Sequence, residues 1–261
     1  MKTLAFVNSG GGQAKTSTCH SVGTALALAG NRVLLVDIDG QCSLSSWCGI
    51  QDNEEQHDLL DVLRGDMSIS AAIRHTYLES CHILPASLHL YQAERHFADE
   101  IAADNLLNIA LQDIADSYDY CCIDTPPQMG ILGYQSMIAA KNLIIPVEAS
   151  WKSLQAMNGL LKVINIMRER RCPELSITGI LPSRVDTRQT SCNQSVELLR
   201  QQFGELVFTN IITDSVVMKD AFAHGKSVID YAPESKTTKQ IKLIIDEIHN
   251  RMNKEGIANA A

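Results

Sequence analysis

The residues able to do chemistry together in this 261-residue chain are a lysine and a threonine behind three consecutive glycines, and three aspartates that each follow an apolar run. Leu4 to Val7 reads as a buried parallel strand; Gly10, Gly11 and Gly12 follow, then Lys15 and Thr16, then a helical pattern to about Ala29. Strand, glycine turn with Lys-Thr, and helix make the layout of a phosphate-binding loop. Glycines let the backbone turn its N–H groups inward, and the helix N-terminus adds partial positive charge at the same spot. Lys15 would reach the β- and γ-phosphates of a nucleotide, and the Thr16 hydroxyl would ligate Mg²⁺. Asp37 and Asp39 follow a second apolar run, Arg32 to Val36, and Asp124 closes a third, Tyr118 to Ile123. A carboxylate at such a strand end is where nucleotide-binding folds hold Mg²⁺, usually through water.

The strict loop pattern G-x-x-x-x-G-K-[ST] fails twice, because Ser9 and Ala14 stand where glycines belong. A glycine-rich turn carrying a chance Lys-Thr is the competing explanation for this window, and an N-cap is the competing role for each aspartate taken alone. The surrounding elements decide. Further strands are expected at 81–85, 143–147, 177–181 and, last, Val207 to Ile211. Helical patterns cover Leu59 to Leu63, about Leu90 to Ile114, Leu154 to Arg170 and Thr237 to Met252, while residues 42 to 56 read as polar and irregular. Strand and helix alternating in this way imply an α/β fold: a single doubly wound, mostly parallel sheet with helices on both faces. Ligands of such sheets sit at the C-terminal ends of the strands, where Lys15, Thr16, Asp37, Asp39 and Asp124 all fall. One P-loop domain is expected over residues 1–252, followed by a short polar tail, 253–261.

Composition narrows the function class. A hydrophobic share of 45% and a charged share of 20% are ordinary for a soluble globular chain. No apolar run reaches the ~18 residues of a spanning helix, and no basic segment leads into an apolar one at the N-terminus, so a cytoplasmic protein is expected. The eight cysteines form no C-x-x-C pair, which favours buried free thiols over a metal cluster. The net charge of −8 lies wholly in residues 1–180, with 12 Lys/Arg against 20 Asp/Glu; residues 181–261 are balanced at 10 and 10. A local basic face on the last third stays open; an overall nucleic-acid footprint does not.

The motifs in their order resemble the ParA/MinD family of deviant Walker-type ATPases, its ParA branch in particular. Asn8 to Thr18 sits where that family has Asn-Gln-Lys-Gly-Gly-Val-Gly-Lys-Thr-Thr-Thr, Val33 to Gln41 resembles its Leu-Leu-Val-Asp-x-Asp-Pro-Gln, and Asp119 to Pro127 resembles its Walker B segment. Leu84-Pro85-Ala86-Ser87, Ile145-Pro146-Val147, Gly179 to Pro182 and His224-Gly225-Lys226 fall in family order, so the likeness spans about residues 3 to 250. It implies ATP and Mg²⁺ as cofactors. Lys15 and Thr16 would hold phosphate and metal, Asp39 would position the attacking water with Asp37 nearby in the metal shell, and Asp124 would be the Walker B carboxylate. The implied nucleotide contacts are Gly10, Gly11, Gly12, Gln13, Ala14, Lys15, Thr16 and Ser17, joined by Asp214 and by Arg184, which either packs on adenine or is a surface arginine.

One departure stands out. The family's signature lysine, early in the loop, is Gly10 here. In the family that lysine crosses a dimer interface and neutralises phosphate charge on the partner's ATP. Two facing triphosphates still need a cation, and Lys152, just after the strand 143–147, is the expected substitute; a solvated lysine opening a helix is the alternative. A chain of this family without the loop lysine resembles the carboxysome-positioning ATPases of the McdA type. The resemblance then implies an ATP-dependent homodimer, non-specific binding to nucleoid DNA, release by adaptor-stimulated hydrolysis, and a cargo moved by that cycle. Lys219, Lys226, Lys236, Lys239, Lys242, Arg251 and Lys254 are the expected DNA contacts, unless they form an ordinary solvated face. A membrane-targeting amphipathic tail, as in the MinD branch, is not expected.

Overall fold

The computed structural model describes residues 1–50, 57–98 and 100–258, the side chains of 92, 93, 96, 98 and 254–258 excepted. Its centre is a sheet of seven strands: β1 (Lys2–Phe6), β2 (Val33–Asp37), β3 (Arg74–His75), β4 (Cys81–Leu84), β5 (Tyr120–Asp124), β6 (Asn142–Glu148) and β7 (Ser176–Ser183). They lie in the order β3-β4-β2-β5-β1-β6-β7, and only the β3 pairing is antiparallel. The inner strands are continuous runs of Val, Leu, Ile and Cys because both of their faces are covered. Residue parity along each strand sorts the core into two layers. Ala5, Leu34, Val36, Cys121, Ile123 and Ile145 face one layer; Leu4, Phe6, Val33, Leu35, Cys122 and Ile144 face the other.

The second layer is roofed by the helices Lys15–Leu28 and Lys236–Ala258, the latter presenting Ile241, Ile244, Ile245 and Ile248 at helical spacing. The first of these lies close against the sheet at Gly23, where a Cβ would run into the Leu35 side chain. Gly30 ends that helix in the left-handed region at φ 92°. The helices Leu106–Gln112, Ile131–Ala140 and Trp151–Arg170 cover the opposite layer. Strands leave β1 in both directions, toward β5 and toward β6, so the crevice beyond its C-terminal end is the ligand position of a doubly wound sheet.

Several expectations need correction. Val207 to Ile211 is not a strand; only Val207 makes a bridge, to Ile180. The Glu247 carboxylate draws the Thr209 and Asn210 amides away at 2.9 and 3.2 Å, while Phe208 and Ile212 still donate to β7 carbonyls, so no ladder can form. The single helix expected over Leu90 to Ile114 is broken. Leu90–Ala98 and Leu106–Gln112 are separated by a left-handed Ala102 at φ 60° and a short 3₁₀ turn, and residue 99 lies outside the description. Ser43–Trp47 is a short helix within the stretch read as irregular, of which 51–56 lie outside the described residues. The last helix runs through most of the expected tail, to Ala258. Seven described elements carried no expectation: β3, too short for periodicity, the helices Ile69–Ala72, Ile131–Ala140, Thr190–Phe203, Val216–Ala223 and Val228–Tyr231, and the 3₁₀ turn Gly204–Leu206. Six of the eight cysteines are buried, as expected, while Cys42 and Cys192 are partly exposed, and no described helix is long and apolar enough to cross a membrane.

Candidate active site

The loop after β1 is shaped by three bonds. Gln13 Oε1 accepts from the Glu148 amide at 3.0 Å, tying the loop to the end of β6. Lys15 Nζ donates to the Gly10 carbonyl at 3.1 Å, so the side chain curls back over its own loop. Arg184 donates to the Gly12 carbonyl at 3.0 Å. Ala14, which occupies the place of a motif glycine, takes that glycine's left-handed conformation at φ 63° and N-caps the helix Lys15–Leu28. The loop geometry is therefore kept, at a conformational cost of about 1 kcal/mol. Among the described residues the amides of Gly11, Gly12, Gln13 and Ala14 make no hydrogen bond, which leaves a row of donors facing the crevice.

The three aspartates converge on this loop but differ in their bonding. Asp37, wholly buried, accepts from the Ser45 amide and hydroxyl at 2.8 Å each and from the Asp39 amide at 3.2 Å. Burial nevertheless pushes its carboxyl up to about 6. Asp39 binds the Gln41 amide at 3.0 Å and the Tyr91 hydroxyl at 3.1 Å through one oxygen. Asp124 is also wholly buried, and neither of its oxygens has a well-formed hydrogen bond among the described residues. Burial and the neighbouring Asp37 push its carboxyl well up; the nearby Thr16 hydroxyl and Lys15 oppose the shift. Burial likewise pushes the Lys15 ammonium down, against the pull of Asp124 and Asp39. An orphaned, buried carboxylate beside a threonine hydroxyl in an excess of negative charge is the donor set of a hard divalent cation. Thr16 and Asp124 are the residues that would hold it. Asp37, expected in the metal shell, has its oxygens committed to Ser45 and the Asp39 amide.

Over these groups opens a cavity of about 490 Å³. Gly11 to Ser17 and Asp39 line its floor, and Arg184, Thr213 and Asp214 line its side. Asp214 holds Lys219 at 3.7 Å at the rim. Gly10 is not in the lining. The far wall is apolar: Trp47 and Phe222 stack with ring centroids 4.2 Å apart, beside Met218 and Ile212. Sequence reading missed this wall, because its members come from three distant segments and none belongs to a loop motif. It also missed Gln13 as a tether, Ser45 as the partner of Asp37, and Tyr91 as the partner of Asp39.

Lys152 does not line the cavity. It is exposed in the first turn of the helix Trp151–Arg170, and its neighbours Ser150 and Trp151 border an adjoining hollow of about 610 Å³ that shares Arg184 and Asp214 with the nucleotide cavity. The basic residues of the last third divide. Arg251 is turned inward, bonded to Glu247 and to the carbonyls of Thr178, Leu206 and Val207, with its guanidinium 4.4 Å over the Phe208 ring. It is a structural residue and not a free phosphate contact. Lys219 belongs to the cavity rim, and the Lys254 side chain lies outside the description. Lys226, Lys236, Lys239 and Lys242 are exposed.

A glycine loop, a buried lysine and an unsatisfied strand-end carboxylate around one crevice define a P-loop nucleotide-binding protein. Comparison with known proteins narrows this. The family model described as AAA domain matches residues 1–177. The sporulation initiation inhibitor protein Soj of Bacillus subtilis is 32% identical over 90% of this chain and 93% of its own. The chromosome-partitioning ATPase Soj of Treponema pallidum is 32% identical over 95% and 96%. The chain belongs to this family, the ParA/MinD ATPases. Among solved structures, cobyrinic acid a,c-diamide synthase from Mycobacterium smegmatis with bound ADP and magnesium is 28% identical over 94% of this chain and 93% of that one, with a TM-score of 0.82. An ATP complex of McdA from Cyanothece shares the fold, with a TM-score of 0.87, 22% identity and coverage of 97% and 96%.

Proposed function

We propose that this protein is a Mg²⁺-dependent ATPase that positions a cargo: it closes as a homodimer around ATP, holds nucleoid DNA without sequence preference, and lets go when an adaptor protein stimulates hydrolysis. The observation that carries this reading is the crevice itself, where Lys15, Asp39 and the orphaned Asp124 meet beneath a cavity of nucleotide size. Lys15 and the free loop amides bind phosphate; bound Mg²⁺ would supply charge neutralisation between Thr16 and Asp124. Asp39 orients the attacking water, with one oxygen already engaged by the protein. The stacked Trp47 and Phe222, with Arg184 and Asp214 at the side, give the base an apolar wall and polar edges.

Two cargo readings follow from different observations. Gly10 in place of the loop lysine, with Lys152 free near the same edge of the sheet, supports a carboxysome-positioning ATPase of the McdA type with Lys152 as the substitute cation. The name of the Treponema pallidum relative, a chromosome-partitioning ATPase, supports partition of a chromosome, with a plasmid as the same mechanism on another cargo. A nucleotide-dependent binder that barely hydrolyses is the least supported, because a decayed site has no need to hold Asp39 by two hydrogen bonds. Exposed Lys226, Lys236, Lys239 and Lys242, doubled in a dimer, are the proposed DNA contacts, and their binding would be salt-sensitive.

The experiment is Asp39→Ala, with ATP affinity, molar mass in solution and retention of DNA each measured with ATP, ADP and no nucleotide. The variant is expected to bind ATP, to stay dimeric, and to remain on DNA after wild type has been released. Loss of ATP binding removes the role assigned to Asp39, and DNA retention that ignores nucleotide removes the release cycle.

A further inference from the structure

Position 40 is glycine where the ParA/MinD segment Asp-x-Asp-Pro-Gln has proline, and the structure gives that glycine a use. The Tyr91 ring, from the helix Leu90–Ala98, lies directly on it. A Cβ at position 40 would stand 2.7 Å from Cδ2 and 2.9 Å from Cε2 of Tyr91, so any other residue there would push the ring away. With the ring seated, its hydroxyl donates to Asp39 Oδ1 at 3.1 Å and accepts from Gln41 Nε2 at 2.8 Å. The Gln41 amide donates to the same Asp39 oxygen at 3.0 Å. Oδ1 is thereby occupied twice, while Oδ2 makes no hydrogen bond among the described residues and belongs to a side chain that lines the nucleotide cavity. Proline would stiffen this turn by fixing φ; glycine gives that up, and the Tyr91–Asp39–Gln41 bonds restore the restraint from outside the loop.

The same helix reaches the loop after β5. The Glu94 carboxylate lies over Gly130, just before the helix Ile131–Ala140, where a Cβ would run into it. One helix therefore touches both loops that follow the aspartate-bearing strands.

We propose that Tyr91 is a positioning residue for hydrolysis: seated on Gly40, it holds the Asp39 carboxylate with one oxygen engaged and the other free for the attacking water. This rests on the reading of Asp39 given above. Tyr91 is 39% exposed, so its bond is partly screened. The expected effect sits at the low end for a hydrogen bond to a charged group, about tenfold in rate.

The test uses the full chain in single-turnover hydrolysis, with protein in excess over labelled ATP and Mg²⁺ present, alongside nucleotide affinity and thermal unfolding. Tyr91→Phe keeps the ring on Gly40 and removes only the hydroxyl. It is expected to lower the hydrolysis rate about tenfold while leaving ATP affinity within about twofold and the melting temperature unchanged, the signature of an interaction used after binding. Gly40→Ala, which displaces the ring, is expected to lower the rate by a similar factor in the Tyr91 chain and to have little further effect in Tyr91→Ala. Wild-type hydrolysis in Tyr91→Phe, with Asp39→Ala inactive, overturns the proposal and leaves Asp39 in place. Equal losses of affinity and rate also overturn it, by making Tyr91 part of the binding wall. Full hydrolysis in Asp39→Ala would instead remove the reading on which the proposal stands.

Discussion

His20 offers a clean measure of how dry the wall of the nucleotide cavity is. It sits in the helix behind the glycine loop, only 1% exposed, with Nδ1 unpartnered. Its ring meets Trp47 edge-on at 6.3 Å and Phe222 edge-on at 5.2 Å, both of which line the cavity. With no charge partner in this setting, burial alone pushes the imidazole down from 6.5 to about 4. The sign follows from linkage. Between those values the unfolded chain binds a proton that the folded chain refuses, so stability falls as pH drops from about 6.5 to about 4. At 1.36 kcal/mol per pH unit the loss over that window is about 3 kcal/mol. The measurement is urea unfolding of the nucleotide-free protein at steps from pH 7.5 to 4.5, for wild type and His20→Leu. Asp37 and Asp124, raised by burial, act with the opposite sign, and the difference between the two proteins cancels them. At pH 7.5 the leucine variant should be equal or more stable, having lost an orphaned polar atom. By pH 4.5 it should lead by roughly a further 2–3 kcal/mol. Parallel stability curves for the two proteins would refute the reasoning, because they would mean that the imidazole is solvated when the protein is folded.

Three further outcomes follow from the site and its frame. Ala14→Gly relieves a left-handed alanine and should stabilise the nucleotide-free protein by up to about 1 kcal/mol, or roughly 2–4 °C in the melting temperature; a lower melting temperature would mean that the loop is not strained. Asp124→Asn removes a buried, unbonded charge, so the apo protein should gain stability at pH 7 while the Mg²⁺ dependence of nucleotide affinity, read by titration with and without chelator, is lost. Arg251→Ala takes the ion-pair partner from Glu247, which keeps its Thr209 and Asn210 donors, and leaves three carbonyls without a donor, so it should cost about 3 kcal/mol in urea unfolding. A variant of unchanged stability but weakened DNA retention would return Arg251 to the phosphate contacts.

How much of this could be read in advance depended on whether the signal was local. The strand ends at Asp37 and Asp124 were legible because buried parallel strands are apolar without interruption, so a single carboxylate marks where each one stops, and Asp39 follows two residues beyond the first. The loop was legible despite Ala14, since Lys15 and Thr16 keep their spacing to the glycines. Val207 to Ile211 misled for the same reason, having strand composition while Glu247, 37 residues on, takes its amides. No local pattern announces such a competitor. Trp47, Tyr91 and Phe222 were invisible too, because an aromatic at helical spacing looks the same whether it faces a core, a ligand or an aspartate. What assigns each of them is a partner from another element.

Lys152 closes the argument about charge. The crevice already holds Asp37, Asp39 and Asp124 against the partly desolvated Lys15, and a triphosphate adds to the anionic side even with a divalent cation bound. Arg184 is spent on the Gly12 carbonyl and Lys219 on Asp214, so neither is free to compensate. Lys152 makes no ion pair among the described residues, and it stands in the first turn of a helix with no acidic residue there. A cation at a helix N-terminus is disfavoured by about 0.3–1 kcal/mol, a penalty that turns into attraction once an anion arrives. In an isolated subunit Lys152 is therefore mildly misplaced, and the proposed dimer is what supplies the anion. Lys152→Glu separates the two states: the monomer should become slightly more stable, by about 0.5 kcal/mol, while ATP-dependent dimerisation measured by molar mass is lost and ATP binding by the monomer is kept. A glutamate variant that still dimerises with ATP would show that the compensating cation is elsewhere.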